Sequence, residues 1–232
     1  DWAGFDRDYT RTKVALPTYP FQHEHFWIEG ATTSRGAKTL RGFDPEQWLY
    51  ELTWSSADIA AGDSRVDCVG VWLVFADDSG HSVSLAEQLK IRGASVVFVR
   101  PADVFEIDSN GDIRLDPTAA DHFALLQEVL SGSGLPLRGV VHLWSLDQRE
   151  QAEDVEHIDH AQSVVCASVL HAAQLMLRNQ SRGAALWVVT RGAHAVASAS
   201  EQVSPAQTPV WGLCRTIASE HPELPCVRID LD

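Results

Sequence analysis

Several groupings in this sequence have residue types that could carry chemistry. Tyr9 and Lys13 stand four apart. At that spacing a lysine one helical turn on can lower a phenol's pKa, so that the tyrosine protonates a ketone. No catalytic serine lies on an adjoining strand, and Pro17 and Pro20 follow at once, so the match reads as coincidence. His157 and His160, with Glu153 and Glu156 beside them, could place metal ligands on one helix face. Carboxylates at a helix start also favour the positive end of the helix dipole, and that is the reading preferred here. His23 and His25 flank Glu24 without a third ligand, and they read as packing. Gly132-Ser-Gly134 lacks the surround of a nucleophile elbow and reads as a loop between Leu130 and Pro136. Ser198, Ser200 and Ser204 fall in a polar loop, 192–207, with no paired base, which points to packing against a neighbour. No catalytic, cofactor-binding or metal-ligating residue is assigned.

The elements that would have to position any such group are strands and helices in alternation. Five β-rich runs occupy 69–76, 95–100, 139–144, 185–190 and 227–231. Val69–Phe75, Val96–Val99 and Leu186–Val189 are near-continuously apolar. Strands apolar on both faces belong to a covered parallel sheet. Helical spacing of apolar residues fills 82–92, 118–130 and 155–178, and Pro209 suits the first turn of a last helix. Ser82, Thr118 and Thr208 are the expected caps. Asp103–Asp116 reads as a hairpin turning at Ser109-Asn-Gly111. Leu49–Trp54 alternates like a short half-buried strand. The pattern predicts a doubly wound α/β sheet with helices on both faces.

Such a sheet raises dinucleotide binding, and the first strand-to-helix turn tests it. A phosphate-cradling turn needs Gly-x-Gly-x-x-Gly so that backbone can approach the pyrophosphate. Here the turn reads Ala76-Asp-Asp-Ser-Gly-His-Ser82, with one glycine and two carboxylates at its mouth. That arrangement repels a pyrophosphate.

Composition narrows the class further. Eighteen basic against thirty-two acidic side chains give a formal net charge of −14, which speaks against nucleic acid as a partner. No long uncharged apolar run and no basic-then-apolar leader stand in the sequence, so neither a membrane span nor secretion is expected. Cys68, Cys166, Cys214 and Cys226 form no Cys-x-x-Cys pair and read as free thiols in a reducing, cytoplasmic compartment. Residues 14–27 are aromatic and proline-punctuated, as in a segment laid along another folded surface. Residues 30–45 are polar and glycine-bearing, like a linker.

In order along the chain, several stretches resemble the region between acyltransferase and ketoreductase in modular type I polyketide synthases. Asp1–Tyr9, Val14–Gln22 and Phe26-Trp27 resemble the linker that follows the acyltransferase. Leu49–Trp54 resembles the opening strand of the ketoreductase region. Val140–Asp147, Leu186–Ala193 and 209–231 resemble parts of its structural subdomain. The resemblance implies three parts: a post-acyltransferase linker at 1–30, a flexible linker at 31–47, and a structural subdomain at 48–232 with a truncated Rossmann-like fold. It implies that this segment binds no cofactor, and that NADPH belongs to an adjoining catalytic subdomain. The expected partners are that subdomain, the acyltransferase and ketosynthase of the same synthase, and an acyl carrier protein in the parent module. Leu49, Trp54, Trp211 and strand 227–231 are the surfaces expected to make contact. Two alternatives remain open at this point: a free-standing Rossmann-like nucleotide-binding oxidoreductase, and a docking module for an acyl carrier protein.

Overall fold

A computed structural model describes residues 7–8, 53–58, 68–148, 155–179, 183–196 and 203–231. The chain divides into two compact units, Asp1–Leu52 and Thr53–Asp232. Of the first, only a turn at Arg7–Asp8 is described. Tyr9, Lys13, His23, His25, Leu49, Ser198 and Ser200 therefore lie outside the described residues.

The second unit is built on a seven-stranded sheet. Its strands are β1 (Gly70–Phe75), β2 (Ala94–Pro101), β3 (Glu106–Ile107), β4 (Ile113–Leu115), β5 (Leu137–His142), β6 (Ala185–Arg191) and β7 (Cys226–Leu231), in the order β3-β4-β2-β1-β5-β6-β7. All pairings are parallel except β3 with β4. The helices are α1 (His81–Ile91), α2 (Ala120–Ser133), α3 (Val155–Arg178) and α4 (Pro209–Glu220), with a short 3-10 turn at Trp144–Asp147. This is the α/β, Rossmann-like architecture that the apolar runs anticipate.

Chirality decides which face each helix takes. The β1-α1-β2 crossover runs toward one edge of the sheet, and β5-α3-β6 and β6-α4-β7 run toward the other. Right-handed crossovers in opposite directions put their helices on opposite faces. The larger core therefore holds Phe123, Leu126 and Leu130 of α2, Val165 and Val169 of α3, and Val210 and Cys214 of α4, over Leu73, Phe75, Val140, Leu186 and Val188. The smaller core, beneath α1, gathers Val74, Leu89, Ala94, Val141 and Val189. Each fully buried aliphatic side chain contributes about 1.5–3 kcal/mol, so the three-helix face dominates stability.

Several expectations change in detail. The hairpin does turn where Asn110-Gly111 indicates: Gly111 takes a positive φ of 83°, and Asp108 accepts the amide N–H groups of Asn110 and Asp112 at 2.8 and 3.0 Å. Its second arm, β4, also pairs in parallel with β2, so the hairpin extends the sheet. Gly132 and Ser133 close the last turn of α2, and Gly134 caps it at φ 67°, so this is a helix end rather than a loop. Thr53 and Trp54 are irregular, because Trp54 packs on His194 and Trp211 instead of joining a ladder. Trp211 is 8% exposed and donates its indole N–H to Thr190 Oγ1 at 2.9 Å, so it belongs to the core rather than to a contact surface. Among the described residues, no helix is long and apolar enough to cross a membrane.

Candidate functional site

In an open parallel sheet, ligands sit beyond the carboxyl ends of the strands, where successive crossovers diverge. Here that point lies between β1 and β5. β1 ends at Phe75, and the chain turns through Asp77–Gly80 into α1, with Gly80 in the left-handed region at φ 96°. The turn aims the N-terminus of α1 at the crevice, leaving N–H donors that a phosphate would ordinarily accept from.

Those donors are taken by the protein itself. Asp77 turns inward, with its side chain fully buried. Its Oδ1 accepts the Ser82 amide at 2.7 Å, and Oδ2 accepts the His81 amide at 3.1 Å. The same Oδ2 accepts His81 Nδ1–H at 2.9 Å and the Ser79 hydroxyl. Burial works to raise this carboxyl's pKa, but the bonds from Ser79, Ser82 and His81 outweigh it and hold the group well below the usual carboxylate range. A side-chain carboxylate thus stands in the anion position at the positive end of α1.

The other wall of the crevice is closed in a similar way. Asp147, from the 3-10 turn after β5, accepts the Asp78 amide at 2.9 Å. Burial pushes the Asp147 carboxyl up, and the nearby charges of Asp78 and Asp77 add to the rise. Asp78 itself points into solvent, 3.9 Å from Arg100. The two carboxylates of the turn therefore do not face a ligand side by side as expected. One is an internal cap, one is exposed, and the third charge in the crevice comes from Asp147.

Ser79, His81 and Asp77 contain the residue types of a nucleophilic triad, which the sequence reading did not single out. In a triad the serine and the acid bind opposite ring nitrogens of the histidine. Here Ser79 Oγ lies 2.8 Å from His81 Nδ1, the nitrogen that also bonds Asp77. Nε2 is directed instead to the Arg191 guanidinium at 3.3 Å. The set is built to cap a helix, and it leaves Ser79 without a base.

At the next strand ends, Asp230 of β7 accepts Thr190 Oγ1 at 2.7 Å and the amides of Ala193 and His194 at 3.0 Å. Gln207 Oε1 accepts the Arg191 amide at 2.7 Å. The described parts of loop 192–207 are thereby tied down, and Ser204 is buried at 5% exposure. On α3, Glu156 and His160 are exposed, and Glu153 and the His157 side chain lie outside the described residues. Among the described residues no three His, Cys, Asp or Glu side chains converge as metal ligands. Cys166, Cys214 and Cys226 are free thiols.

A family model described as "Polyketide synthase extender module SpnB, Rossmann fold domain" matches residues 53–232. Pikromycin polyketide synthase component PikAII of Streptomyces venezuelae is 30% identical over 96% of this chain, which covers 5% of that protein. Component PikAIII of the same organism is 30% identical over 100% of the chain, which covers 12% of that protein. Among solved structures, a C2-type ketoreductase from a modular polyketide synthase aligns over 77% of this chain and 34% of its own, at TM-score 0.51 and 24% identity. A multidomain structure of a keto acid-selecting NRPS module, with adenylation, ketoreductase and pseudo Asub parts, aligns over 77% of this chain and 15% of its own, at TM-score 0.66 and 23% identity. These structural likenesses establish the fold.

Proposed function

This chain belongs to the Rossmann-fold domain family of polyketide synthase extender modules, and from that premise we propose that it is a non-catalytic brace in a ketoreductase region. In this reading it supports an NADPH-binding catalytic subdomain and links that subdomain to the acyltransferase of the same cytoplasmic synthase. The parent module then extends and reduces a carrier-bound β-ketoacyl chain on its phosphopantetheine arm. The chemistry lies outside residues 1–232, which is consistent with a chain that spans 5% and 12% of its pikromycin relatives.

The observation that carries this reading is Asp77. A pyrophosphate needs the N–H groups of His81 and Ser82, and a buried carboxylate already holds both. Displacing it would strand a charge in a buried site, at a cost of about 1–3 kcal/mol or more. Asp147 adds a second internal acceptor across the crevice. The dinucleotide therefore does not fit this turn. A surface for bracing is available on α3, which carries no Asp, Glu, Lys or Arg from His160 to Leu177 and exposes Leu170 at its middle. Such an uncharged outer helix face suits burial against another domain.

Titration of the chain with NADPH, followed by tryptophan fluorescence, tests the reading. No saturable change is expected up to millimolar cofactor, whereas the chain added to a separately produced catalytic half should restore ketone reduction. Micromolar NADPH binding by the chain alone, or reduction without the catalytic half, would refute it.

A further inference from the structure

Helices α2, α3 and α4 cover one face of the sheet, and among the described elements α1 lies on the other, where Val141 and Val189 are buried along with Val74 and Ala94. On the β5–β7 side of that second face lies a groove of about 390 Å³. Its floor is Val141 and Leu143 of β5 with its extension, Trp187 and Val189 of β6, and Ile229 and Leu231 of β7. His81, Leu85 and Leu89 of α1 and the Trp72 ring form the other wall. Ile229 is 37% exposed at the open edge strand. Parallel strands with apolar residues on both faces are found covered on both faces. Val141, Leu143 and Val189 at the floor are already buried, so the open part of the groove runs along Trp187, Ile229 and Leu231.

Two polar groups mark the end of this groove, His81 in its wall and Arg191 beside it. Arg191, at the carboxyl end of β6, has a buried Nε with no hydrogen-bond partner among the described residues. Among the described residues its NH2 lies 3.3 Å from His81 Nε2. A helix covering a parallel sheet runs antiparallel to the strands, so its N-terminal turn lies at their carboxyl ends. Acidic residues favour that turn through the helix dipole, and here they would meet the guanidinium.

We propose that the β5–β7 groove seats an amphipathic helix from elsewhere in the same synthase polypeptide, with an acidic first turn against Arg191. Strands of six and seven residues run about 20–23 Å, which a helix matches with about 14 residues. Its apolar stripe follows i, i+3, i+4, i+7 spacing. The source is intramolecular because the pikromycin relatives, of which the chain spans 5% and 12%, are far longer than this chain. Tethering raises the effective concentration of a weak apolar contact, so the groove need not bind tightly. This site rests on the scaffold reading above but uses a different face from α3.

Maleimide labelling separates the two surfaces. Ile229→Cys, Leu170→Cys and, as a control on the far edge, Ile107→Cys are compared in this chain alone and within the parent synthase. Ile229→Cys is expected to label at least tenfold more slowly in the parent, with Ile107→Cys unchanged. Adding Arg191→Glu in the parent should restore several-fold of the lost rate. A photo-crosslinker at position 229 should then capture a helical segment of the same polypeptide outside this chain. Equal labelling of Ile229→Cys in both contexts overturns the groove proposal, and so does crosslinking to a second copy or to residues 1–52. If Leu170→Cys is protected while Ile229→Cys is not, the brace stands and the groove helix falls. If neither is protected, both fall.

Discussion

His142 shows how one side chain can set the acid limit of this fold. It is fully buried between Phe75 and Trp144, at ring distances of 5.1 and 5.3 Å. Ser168 donates its hydroxyl proton to the Val164 carbonyl at 2.7 Å, so its oxygen is left to accept His142 Nε2–H at 2.8 Å. Nδ1 is buried without a partner among the described residues. Burial drives the imidazole pKa down from 6.5 to about 3. The folded state therefore holds the ring neutral while the unfolded chain takes up a proton below pH 6.5. Stability is fully present above that pH and is lost as pH falls toward 3. At pH 5 the loss is about 2 kcal/mol. Urea unfolding at pH 7 and pH 5 should show it, and His142→Phe should abolish most of the difference whatever it does to stability at pH 7. An equal pH dependence in the variant would move the effect to other groups. The sequence did not reveal this histidine, since a buried neutral His and a surface His look alike in a strand pattern. Asp77 was visible as a carboxylate at the phosphate turn, but not its inward orientation, which depends on Ser79, His81 and Ser82 all donating to it.

Among the elements, strands were legible and their ends were not. Apolar runs located β1, β2, β5, β6 and β7 because a strand covered on both faces leaves little choice of residue. Caps escaped because the groups that satisfy the helix ends act across several residues. Ser82 was expected to cap α1, yet its own amide is capped by Asp77 from five positions earlier. Thr208 does stand at the N-cap of α4, but its hydroxyl donates to the carbonyls of Ala193 and Ser204, both at 3.2 Å, and ties the loop down instead. The pairing of β1 with β5 has its own requirement at Gly139. A Cβ there would lie 2.6 Å from Trp72 Cζ3 and 2.9 Å from Cε3, so the glycine lets the indole lie flat across the neighbouring strand. Trp72 cannot simply swing away, because its Nε1–H donates to the Cys68 carbonyl at 3.2 Å. Gly139→Ala should therefore destabilise the fold by about 1–3 kcal/mol. Combining it with Trp72→Leu should recover part of the loss, read as a coupling energy in denaturant unfolding. Strict additivity of the two changes would show that the ring is not the obstacle.

The whole molecule carries a formal charge of −14. The surface ion pairs among the described residues do little to offset it. Arg100–Asp78 is long at 3.9 Å, with the Asp78 side chain 91% exposed, and His221–Glu223 is also at the surface. Exposed pairs of this kind contribute about 0–1 kcal/mol each, whereas unbalanced like charge spread over a compact body opposes folding. Screening should then help the folded state. Raising sodium chloride from 0.01 to 0.15 M shortens the Debye length from about 30 Å to about 8 Å. That change screens solvent-exposed charges from one another but leaves the buried Asp77 cap largely untouched. A gain of about 1 kcal/mol at this chain length corresponds to a rise in Tm of about 2–4 °C. Calorimetry at pH 7.5, where His142 contributes no pH dependence, should record that rise. A Tm that falls with salt would mean that local attractions outweigh the net repulsion. An acidic body stabilised by screening is also one that gains when a partner covers its uncharged faces, because such burial removes apolar surface from water without bringing further carboxylates together.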